Sequence, residues 1–328
     1  MTSISEPKIL VLTPPGTTPI SKKLWGEHTD IVPMYENSRS LYARVKLRTW
    51  LFSGRFNYVL NSQLREMDLN QYNIIVVVQI IYPEYIIKYI RKKNKNCQLF
   101  YWLWDSVVHT GDAMFYNGKK HWKSLVSIRE RYNFNILSFD KSDCRKYNLV
   151  YHNQIAPFFE EFKEIEPLYH EAFFCGHDKG RLDSLKNIGI LLKERGITPH
   201  FEIVPDKNRC YLNAHENFIY KVSKRPYEKV LQETLKRDVI VELVQKDQDG
   251  LTWRALESIF YGRKLITNFK DIKSYDFYTP NNIFVIGSDA EEELASFLDS
   301  PYKSISDDIL QKYTFRGCII NILHTISV

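Results

Sequence analysis

The sequence predicts an α/β protein made of two doubly wound domains, and three observations lead to this prediction. The chain has 328 residues, which is too long for one typical hydrophobic core and suits two domains of roughly 150 residues. In the first half, apolar runs of strand length alternate with segments of helical periodicity. In the second half, residues 239–268 have the pattern strand, polar loop, helix, strand. That pattern is a βαβ unit, whose strands are parallel and whose crossover is right-handed.

Four strands are predicted in the first half. Their residues are apolar at consecutive positions, as expected of parallel strands that are buried on both faces. They lie at residues 8–13, 72–79, 98–103 and 135–139. A helix is expected over residues 84–92, because Pro83 suits the first turn of a helix. This alternation indicates a doubly wound domain.

The alternating pattern is interrupted at residues 151–167, where Pro157, Pro167 and a run of acidic residues predict a linker.

Strands of the second half are predicted at residues 171–175, 200–204, 239–241, 264–267 and 282–286, and helices at residues 182–192, 227–235, 253–260 and 291–298. The predicted domains are residues 1–155 and 168–305, followed by a closing helix over residues 306–328.

The polar loop of the βαβ unit, residues 245–252, is the first candidate site. It follows the carboxyl end of a parallel strand, where open α/β sheets bind their ligands. Asp249 lies on this loop, and Glu257 lies one turn into the following helix. A part-buried carboxylate at position 257 is able to accept two hydroxyl donors, such as those of a ribose diol. Alternatively, Glu257 pairs with Arg254 three residues earlier on the helix, and the spacing leaves both interpretations open.

The turn over residues 176–181 is the second candidate site. Lys179 and Arg181 stand between the end of a predicted strand and the start of a predicted helix. Backbone N–H groups and the helix dipole favour an anion at this position, and two cations beside them favour a phosphate. Two solvated charges on a loop are the alternative. Gly176 and Gly180, which allow a ligand to approach the backbone closely, favour the phosphate.

Two turns in the first half carry further candidates. Gly16 lies in a turn directly after the first strand, as in many nucleotide-binding domains, but G-x-G-x-x-G is absent and a plain turn is the alternative. Asp105 and His109 follow the strand at residues 98–103 and are able to act as acid/base groups or substrate contacts. The alternative for Asp105 is a helix cap or a turn residue.

A basic and aromatic segment lies at residues 38–58. Its cations and large aromatic residues are Arg44, Lys46, Arg48, Trp50, Phe52 and Arg55. A helix of this composition is able to lie on an anionic membrane surface. A solvated face over a core is the alternative interpretation.

Composition narrows the class of protein. The net charge of +6 permits an anionic partner without requiring one. The five cysteines are scattered without a C-x-x-C pair, so neither a disulfide framework nor a zinc site is expected. Reduced thiols in a cytoplasmic location are expected instead. A signal peptide is not expected, because the first residues lack a basic start followed by an apolar block, and no run approaches the ~18 apolar residues of a membrane span. A nucleic-acid partner is not expected, because the charge is low and no recognition signature is found.

Several stretches resemble one enzyme family, the bacterial GT-B glycosyltransferases of surface-polysaccharide and lipopolysaccharide-core synthesis. Residues 176–181 (GHDKGR) are similar to their donor pyrophosphate loop. Asp249 and Glu257 match the spacing of the E-x7-E motif of retaining members, with Asp in the first position. Further similar stretches are residues 138–141, 264–268 and 275–282.

The resemblance implies two Rossmann-like domains facing a cleft, with the acceptor on the side of the first domain and the nucleotide-sugar on the second. It implies transfer of a sugar from a nucleotide-sugar to a glycan or lipid-linked acceptor in cell-surface polysaccharide synthesis. The reaction would be retaining and would need no metal and no cofactor beyond the nucleotide-sugar. A lipid-linked acceptor would also bring the protein to the inner face of the cell membrane.

The resemblance assigns roles to the candidate residues. Lys179 and Arg181 would neutralise the diphosphate leaving group, and Glu257 would hold the ribose hydroxyls. The residues facing the donor sugar would be Asp249 and the backbone of Gly250, Leu251 and Thr252, with Gly16 on the opposite wall of the cleft. Asp249, Asp105 and His109 are the candidates for the chemical step.

Two features leave alternatives open. Asp247 and Asp249 form a D-x-D pattern, which binds metal in a different glycosyltransferase fold, so metal dependence is undecided. The Asp at the first position of the motif is one methylene shorter than Glu. The alternative function is therefore a catalytically silent, GT-B-like partner or sugar-nucleotide binding subunit.

Overall fold

The computed structural model describes residues 7–14, 20–26, 28–36, 60–80, 83–107, 118–206, 218–220, 225–245 and 250–326. The chain forms two compact units. The first unit comprises Met1–Asn153 and Thr314–Val328, and the second comprises Gln154–Tyr313. Both are α/β, as the sequence predicts.

The first unit contains one parallel sheet, with six strands in its described part. They are β1 (Ile9–Thr13), β2 (Asp30–Pro33), β3 (Ile74–Val78), β4 (Gln98–Trp102), β5 (Asn135–Ser138) and β6 (Val150–Tyr151). Their order is β2-β1-β3-β4-β5-β6, and each neighbouring pair is parallel. Strand order reverses between β1 and β3, which is where doubly wound sheets bind ligands.

Helices cover both faces of this sheet. The first five in chain order are α1 (Ser21–Trp25), α2 (Ser62–Glu66), α3 (Pro83–Lys93), α4 (Gly118–Tyr132) and α5 (Lys141–Tyr147). One face of the sheet packs against Leu64 of α2, Ile87 of α3 and Leu125 of α4 in a continuous apolar core. Pro83 begins α3, as predicted, because its missing N–H is not needed in a first helical turn.

The second unit repeats this plan. Its strands are β7 (Tyr169–His177), β8 (Thr198–Val204), β9 (Phe218–Tyr220), β10 (Arg237–Glu242), β11 (Lys264–Thr267) and β12 (Ile283–Val285). The described strands form a parallel sheet in the order β12-β11-β10-β7-β8-β9. The next helices are α6 (Leu182–Lys193), α7 (Tyr227–Leu235), α8 (Trp253–Phe260), α9 (Glu293–Asp299) and α10 (Asp307–Gln311). The predicted βαβ unit is therefore β10, α8 and β11, and its strands are parallel.

The unit boundaries differ from the predicted domain limits. Most of the segment predicted as a linker, residues 154–167, belongs to the second unit, where its backbone is hydrogen-bonded, while residues 151–153 belong to the first unit. Phe159 N donates to Tyr261 Oη at 2.8 Å, and the guanidinium of Arg263 donates to Ile165 O.

The end of the chain also differs from the single closing helix expected over residues 306–328. Two helices are present in that range, α10 and then α11 (Phe315–Ile326). The last helix belongs to the first unit because it buries Phe315, Cys318 and Ile319 there. The Phe315 ring lies 5.0 Å from the ring of Trp25.

None of the helices in the described ranges combines the length and apolarity needed to cross a membrane.

Candidate functional site

The two motifs of the second unit lie side by side. The turn at residues 176–181 follows β7 and the loop at residues 245–252 follows β10, and these strands are neighbours, with Phe173 opposite Ile240. Strand order reverses at this pair, so both motifs lie at the carboxyl edge where ligands of open α/β sheets bind. Arg181 connects the turn to the first residue after β10, because its Nη1 donates to Leu243 O at 2.6 Å.

The backbone of the turn is fixed by Asp178, which is fully buried. Asp178 Oδ1 accepts a hydrogen bond from Leu182 N at 3.0 Å, and Asp178 O accepts one from Arg181 N at 2.8 Å. Lys179 and Gly180 have positive φ angles of 46° and 79°, and glycine adopts this conformation at little cost. The turn thus presents Lys179 as an exposed residue directly before α6.

Arg181 holds the site together through backbone carbonyls. Besides Leu243 O, it donates from Nε to Asp178 O at 3.1 Å and from Nη2 to His177 O. Burial lowers the pKa of Arg181, while the neighbouring carboxylates oppose that shift. A guanidinium has more N–H donors than these three bonds use, so Arg181 is also able to bind an anion.

Gly176 leaves little room for a side chain in this arrangement. A Cβ atom at position 176 would lie 3.2 Å from the Phe174 ring and 3.4 Å from Arg181 Nη2. The predicted reason for this glycine was close approach of a ligand, whereas the structure shows close approach of the Arg181 side chain.

Glu257 is fully buried, and both of its oxygens are hydrogen-bonded. Oε2 accepts from Arg254 Nη1, and Oε1 accepts from Tyr227 Oη at 2.9 Å. Burial and the adjacent carboxylate raise the pKa of Tyr227 well above its ordinary value. The ion pair between Arg254 and Glu257, one of the two interpretations of the spacing, is therefore present. Each oxygen is able to accept a second hydrogen bond, but Glu257 is fully buried, so a ribose hydroxyl reaches it only if the surrounding side chains move.

Glu242, at the end of β10, is a buried residue that the sequence analysis missed. Its carboxylate accepts hydrogen bonds from the hydroxyls of Thr252 and Thr267, the latter at 2.6 Å. Burial raises the pKa of Glu242, and the two hydroxyl donors oppose that shift. Thr252 in turn caps α8, since its Oγ1 accepts from Arg254 N at 3.0 Å. Glu242 therefore fixes the point where α8 begins.

The loop after β10 is anchored at both ends. At its start, Val244 N donates to Asn268 Oδ1 at 2.7 Å, and Asn268 Nδ2 donates back to Val244 O at 3.2 Å. At its end, Gly250 and Leu251 are buried and Thr252 is held by Glu242.

In the first unit, Asp105 is exposed on the loop that follows β4. Among the described residues that follow β4, up to residue 107, Asp105 lies outside any helix. Its backbone N–H and that of Trp104 both donate to Gln79 Oε1.

Several candidates lie outside the described residues. They are Gly16, His109, Asp247, Asp249 and the basic segment at residues 38–58. Within the described ranges, no group of three or more His, Cys, Asp or Glu side chains is arranged to hold a metal ion.

No protein-family model matches the sequence, and no curated protein matches it. Solved structures with a similar fold include the apo form of the lipopolysaccharide outer core galactosyltransferase WaaB, with 14% identity over 97% of this chain and 99% of that chain and a TM-score of 0.48. The T4 phage enzyme BGT in complex with UDP and Mn²⁺ is 12% identical over 97% of this chain and 95% of that chain, with a TM-score of 0.41. The spinosyn rhamnosyltransferase SpnG is 8% identical over 97% and 95% of the two chains, with a TM-score of 0.37.

The first and third of these proteins are named as a galactosyltransferase and a rhamnosyltransferase.

Proposed function

We propose that the protein is a glycosyltransferase that moves a sugar from a nucleotide-sugar to a glycan or lipid-linked acceptor in cell-surface polysaccharide synthesis. The observation that carries the proposal is the junction of the two motifs at one sheet edge. There, Arg181 joins the cationic turn after β7 to the loop that leads into α8. Such an edge offers fixed positive charge and backbone N–H groups to a diphosphate.

The chemistry of sugar transfer explains why such a site is useful. When the bond between the sugar and the diphosphate breaks, negative charge develops on the departing diphosphate. Donors that are already in place stabilise that charge without further reorganisation. Lys179 would supply an exposed ammonium group, Arg181 its remaining N–H donors, and α8 the positive end of its dipole. Asp249 and the backbone from Gly250 to Thr252 would face the sugar.

The buried position of Glu257 favours a positioning role over a direct contact with ribose. Its carboxylate neutralises Arg254. Burial alone would lower the pKa of Arg254, but that pKa is raised overall by the adjacent Glu257 carboxylate and by the hydrogen bond that Arg254 donates to it. The ion pair also fixes Arg254, whose backbone N–H is the one that Thr252 caps. In this proposal Glu257 supports the start of α8, which is the part of the helix that would meet the diphosphate.

A panel of UDP-, GDP-, CMP- and dTDP-sugars tests the proposal. One nucleotide should raise the melting temperature, because a ligand that binds only the native state stabilises it. The matching sugar donor should be hydrolysed or transferred, and the activity should persist in EDTA if protein cations alone balance the diphosphate. Loss of activity in EDTA with rescue by Mg²⁺ or Mn²⁺ would instead point to the Asp247 and Asp249 pair. No stabilisation and no turnover with any donor would contradict the proposal.

A second function, a catalytically silent binding subunit, is favoured by one specific observation: both oxygens of Glu257 are already engaged. The same panel distinguishes the two, since a binding subunit would be stabilised by a nucleotide and would turn over no donor.

A lipid-linked acceptor would require contact with the inner face of a membrane. The basic residues Arg44, Lys46, Arg48 and Arg55 would then bind anionic vesicles in a salt-sensitive way, at about 1 kcal/mol per charge near the surface. Co-sedimentation with anionic and neutral vesicles tests this, and equal binding to both would contradict it.

A further inference from the structure

The loop after β4 is held in place from two sides. On one side stands Gln79, the residue that follows β3. Its Oε1 accepts from Trp104 N at 2.7 Å and from Asp105 N at 3.1 Å, and its own backbone N–H donates to Trp102 O at 2.8 Å. One side chain therefore fixes two successive residues of the neighbouring loop.

On the other side stands Asp143, a buried residue in the first turn of α5. Its Oδ2 accepts from Val107 N at 2.5 Å. Asp143 is itself fixed, because its N–H donates to Asp140 Oδ1 at 2.9 Å. The loop backbone is thus tied to the elements on both sides of β4.

This anchoring surrounds an exposed carboxylate. Asp105 lies between the two anchors, and its side chain is exposed while the adjacent Ser106 and Val107 are buried. Loops at strand ends are ordinarily among the more mobile parts of a domain. A loop that is tied down on both sides of one exposed acidic residue holds that residue in a constant position.

We propose that Gln79 and Asp143 are positioning residues for Asp105. In this proposal, which rests on the glycosyltransferase function, the Asp105 carboxylate accepts a hydrogen bond from a hydroxyl group of the acceptor. Gln79 and Asp143 act through the loop backbone and touch no substrate. Their effect is on orientation, where a displacement of about 1 Å is able to reduce turnover on the order of 100-fold.

The test compares Gln79→Ala, which removes the shared acceptor, with Gln79→Glu, which keeps an acceptor oxygen for both N–H groups. Asn94→Ala is the matched control. Asn94 Oδ1 also accepts from two successive backbone N–H groups, those of Asn96 at 3.0 Å and Cys97 at 2.9 Å, but at the amino end of β4. Asp143→Ala and Asp143→Asn form a second pair of the same design.

The measurements are transfer to octyl β-D-glucoside and octyl β-D-galactoside, with the donor that the wild type turns over, together with melting temperatures. Gln79→Ala should lower kcat about 10- to 100-fold, leave the KM for the donor unchanged, and speed amide hydrogen exchange in residues 104–107. Gln79→Glu should restore kcat to within about threefold of the wild type. Asn94→Ala should lower the melting temperature without lowering kcat.

Three outcomes would overturn the inference. An unchanged kcat in Gln79→Ala would show that the anchor does not serve the reaction. A loss of kcat in Asn94→Ala equal to that in Gln79→Ala would reduce the effect to general stability. If the wild type turns over no donor, both the proposed function and this inference are contradicted. If the wild type and the Gln79→Ala variant are equally active, only the inference is contradicted.

Discussion

Arg181 and Leu243 are 62 residues apart in the chain, yet Nη1 of the arginine donates to the leucine carbonyl at 2.6 Å. This bond joins the turn after β7 to the loop after β10, so a residue predicted to bind phosphate also maintains the backbone on which such a site depends. Its two roles are separable by experiment.

Arg181→Ala should lower the free energy of unfolding by about 2–3 kcal/mol, because buried carbonyl oxygens lose a charged donor. It should also weaken binding of a nucleoside diphosphate. Arg195→Ala is the control, since Arg195 also donates to backbone carbonyls, those of Leu191 and Glu291, but at the far end of α6. Urea unfolding and calorimetric titration measure both effects. Equal losses of nucleotide affinity in the two variants would show that Arg181 acts only through stability.

Lys179, unlike Arg181, should affect ligand binding without affecting stability. Its side chain is exposed, and only its backbone shapes the turn. Lys179→Ala should leave the melting temperature nearly unchanged. It should weaken binding of the nucleoside diphosphate by about 1–3 kcal/mol, the range for charge-assisted hydrogen bonds, and that of the bare nucleoside much less. Lys193→Ala removes the same charge from the last turn of α6. A loss that is the same for both ligands would exclude a phosphate contact.

Strands and helices whose own residues form an apolar run or a helical period could be predicted from sequence. Elements that depend on pairing or packing with a distant part of the chain could not. The strand β3, with Ile74 to Val78, is apolar throughout and was predicted. The strands β2, β6 and β9, with four, two and three residues, were not predicted. Each lies at an edge of its described sheet and is recognised by its pairing with one longer strand. The periodicity of α11 shows that one face is buried but not that it packs in the first unit.

The candidate site shows the same limit. The positions of Lys179 and Arg181 at the end of a strand were predicted, since they follow from local order along the chain. The partners of Arg181 and Glu242 were not, because Leu243, Thr252 and Thr267 approach them only after folding. An isolated glutamate after an apolar strand is most simply interpreted as solvated. Two sequence signals indicate that Glu242 is buried and hydrogen-bonded instead. They are the hydroxyl residue Thr252 at the start of the next helix and Thr267 on the next strand.

His152 predicts a pH dependence of stability in the first unit. It is buried against the Trp102 ring, with centroids 3.9 Å apart, and its Nδ1 lies 2.7 Å from Asn153 O. Burial lowers the pKa of His152 to about 3. Because the unfolded chain binds a proton from about pH 6.5 downwards and the native state does not, stability is lost as the pH falls through this range.

At pH 5 this loss should amount to about 2 kcal/mol relative to pH 7, from ~1.4 kcal/mol for each pH unit below the unfolded pKa. The free energy of unfolding is measured by urea titration across that range. His152→Phe should remove this part of the pH dependence. His324→Phe, at an exposed position on α11, should not. A wild type and a His152→Phe variant with parallel pH profiles would contradict the prediction.

The ion pair between Arg254 and Glu257 should contribute substantially to stability. Pairs of this spacing on an exposed helix contribute only a few tenths of a kcal/mol. Glu257 is fully buried, however, and removing one partner of a buried pair costs about 3–5 kcal/mol. Glu257→Gln should therefore lower the free energy of unfolding by about 3 kcal/mol, while the affinity for the donor nucleotide changes little. A large loss of nucleotide affinity with an unchanged melting temperature would show instead that Glu257 holds the ribose.

Tyr227→Phe also tests whether Glu257 positions Arg254 or binds the ribose. The change removes the hydroxyl that donates to Glu257 Oε1 at 2.9 Å. If Glu257 only positions Arg254, the variant should lose about 1 kcal/mol of stability and bind the nucleotide as the wild type does. If a ribose hydroxyl competes with Tyr227 for that oxygen, removing the competitor should tighten nucleotide binding. Asp249→Asn completes the comparison, because a residue that faces the reacting sugar should lower kcat more than donor affinity.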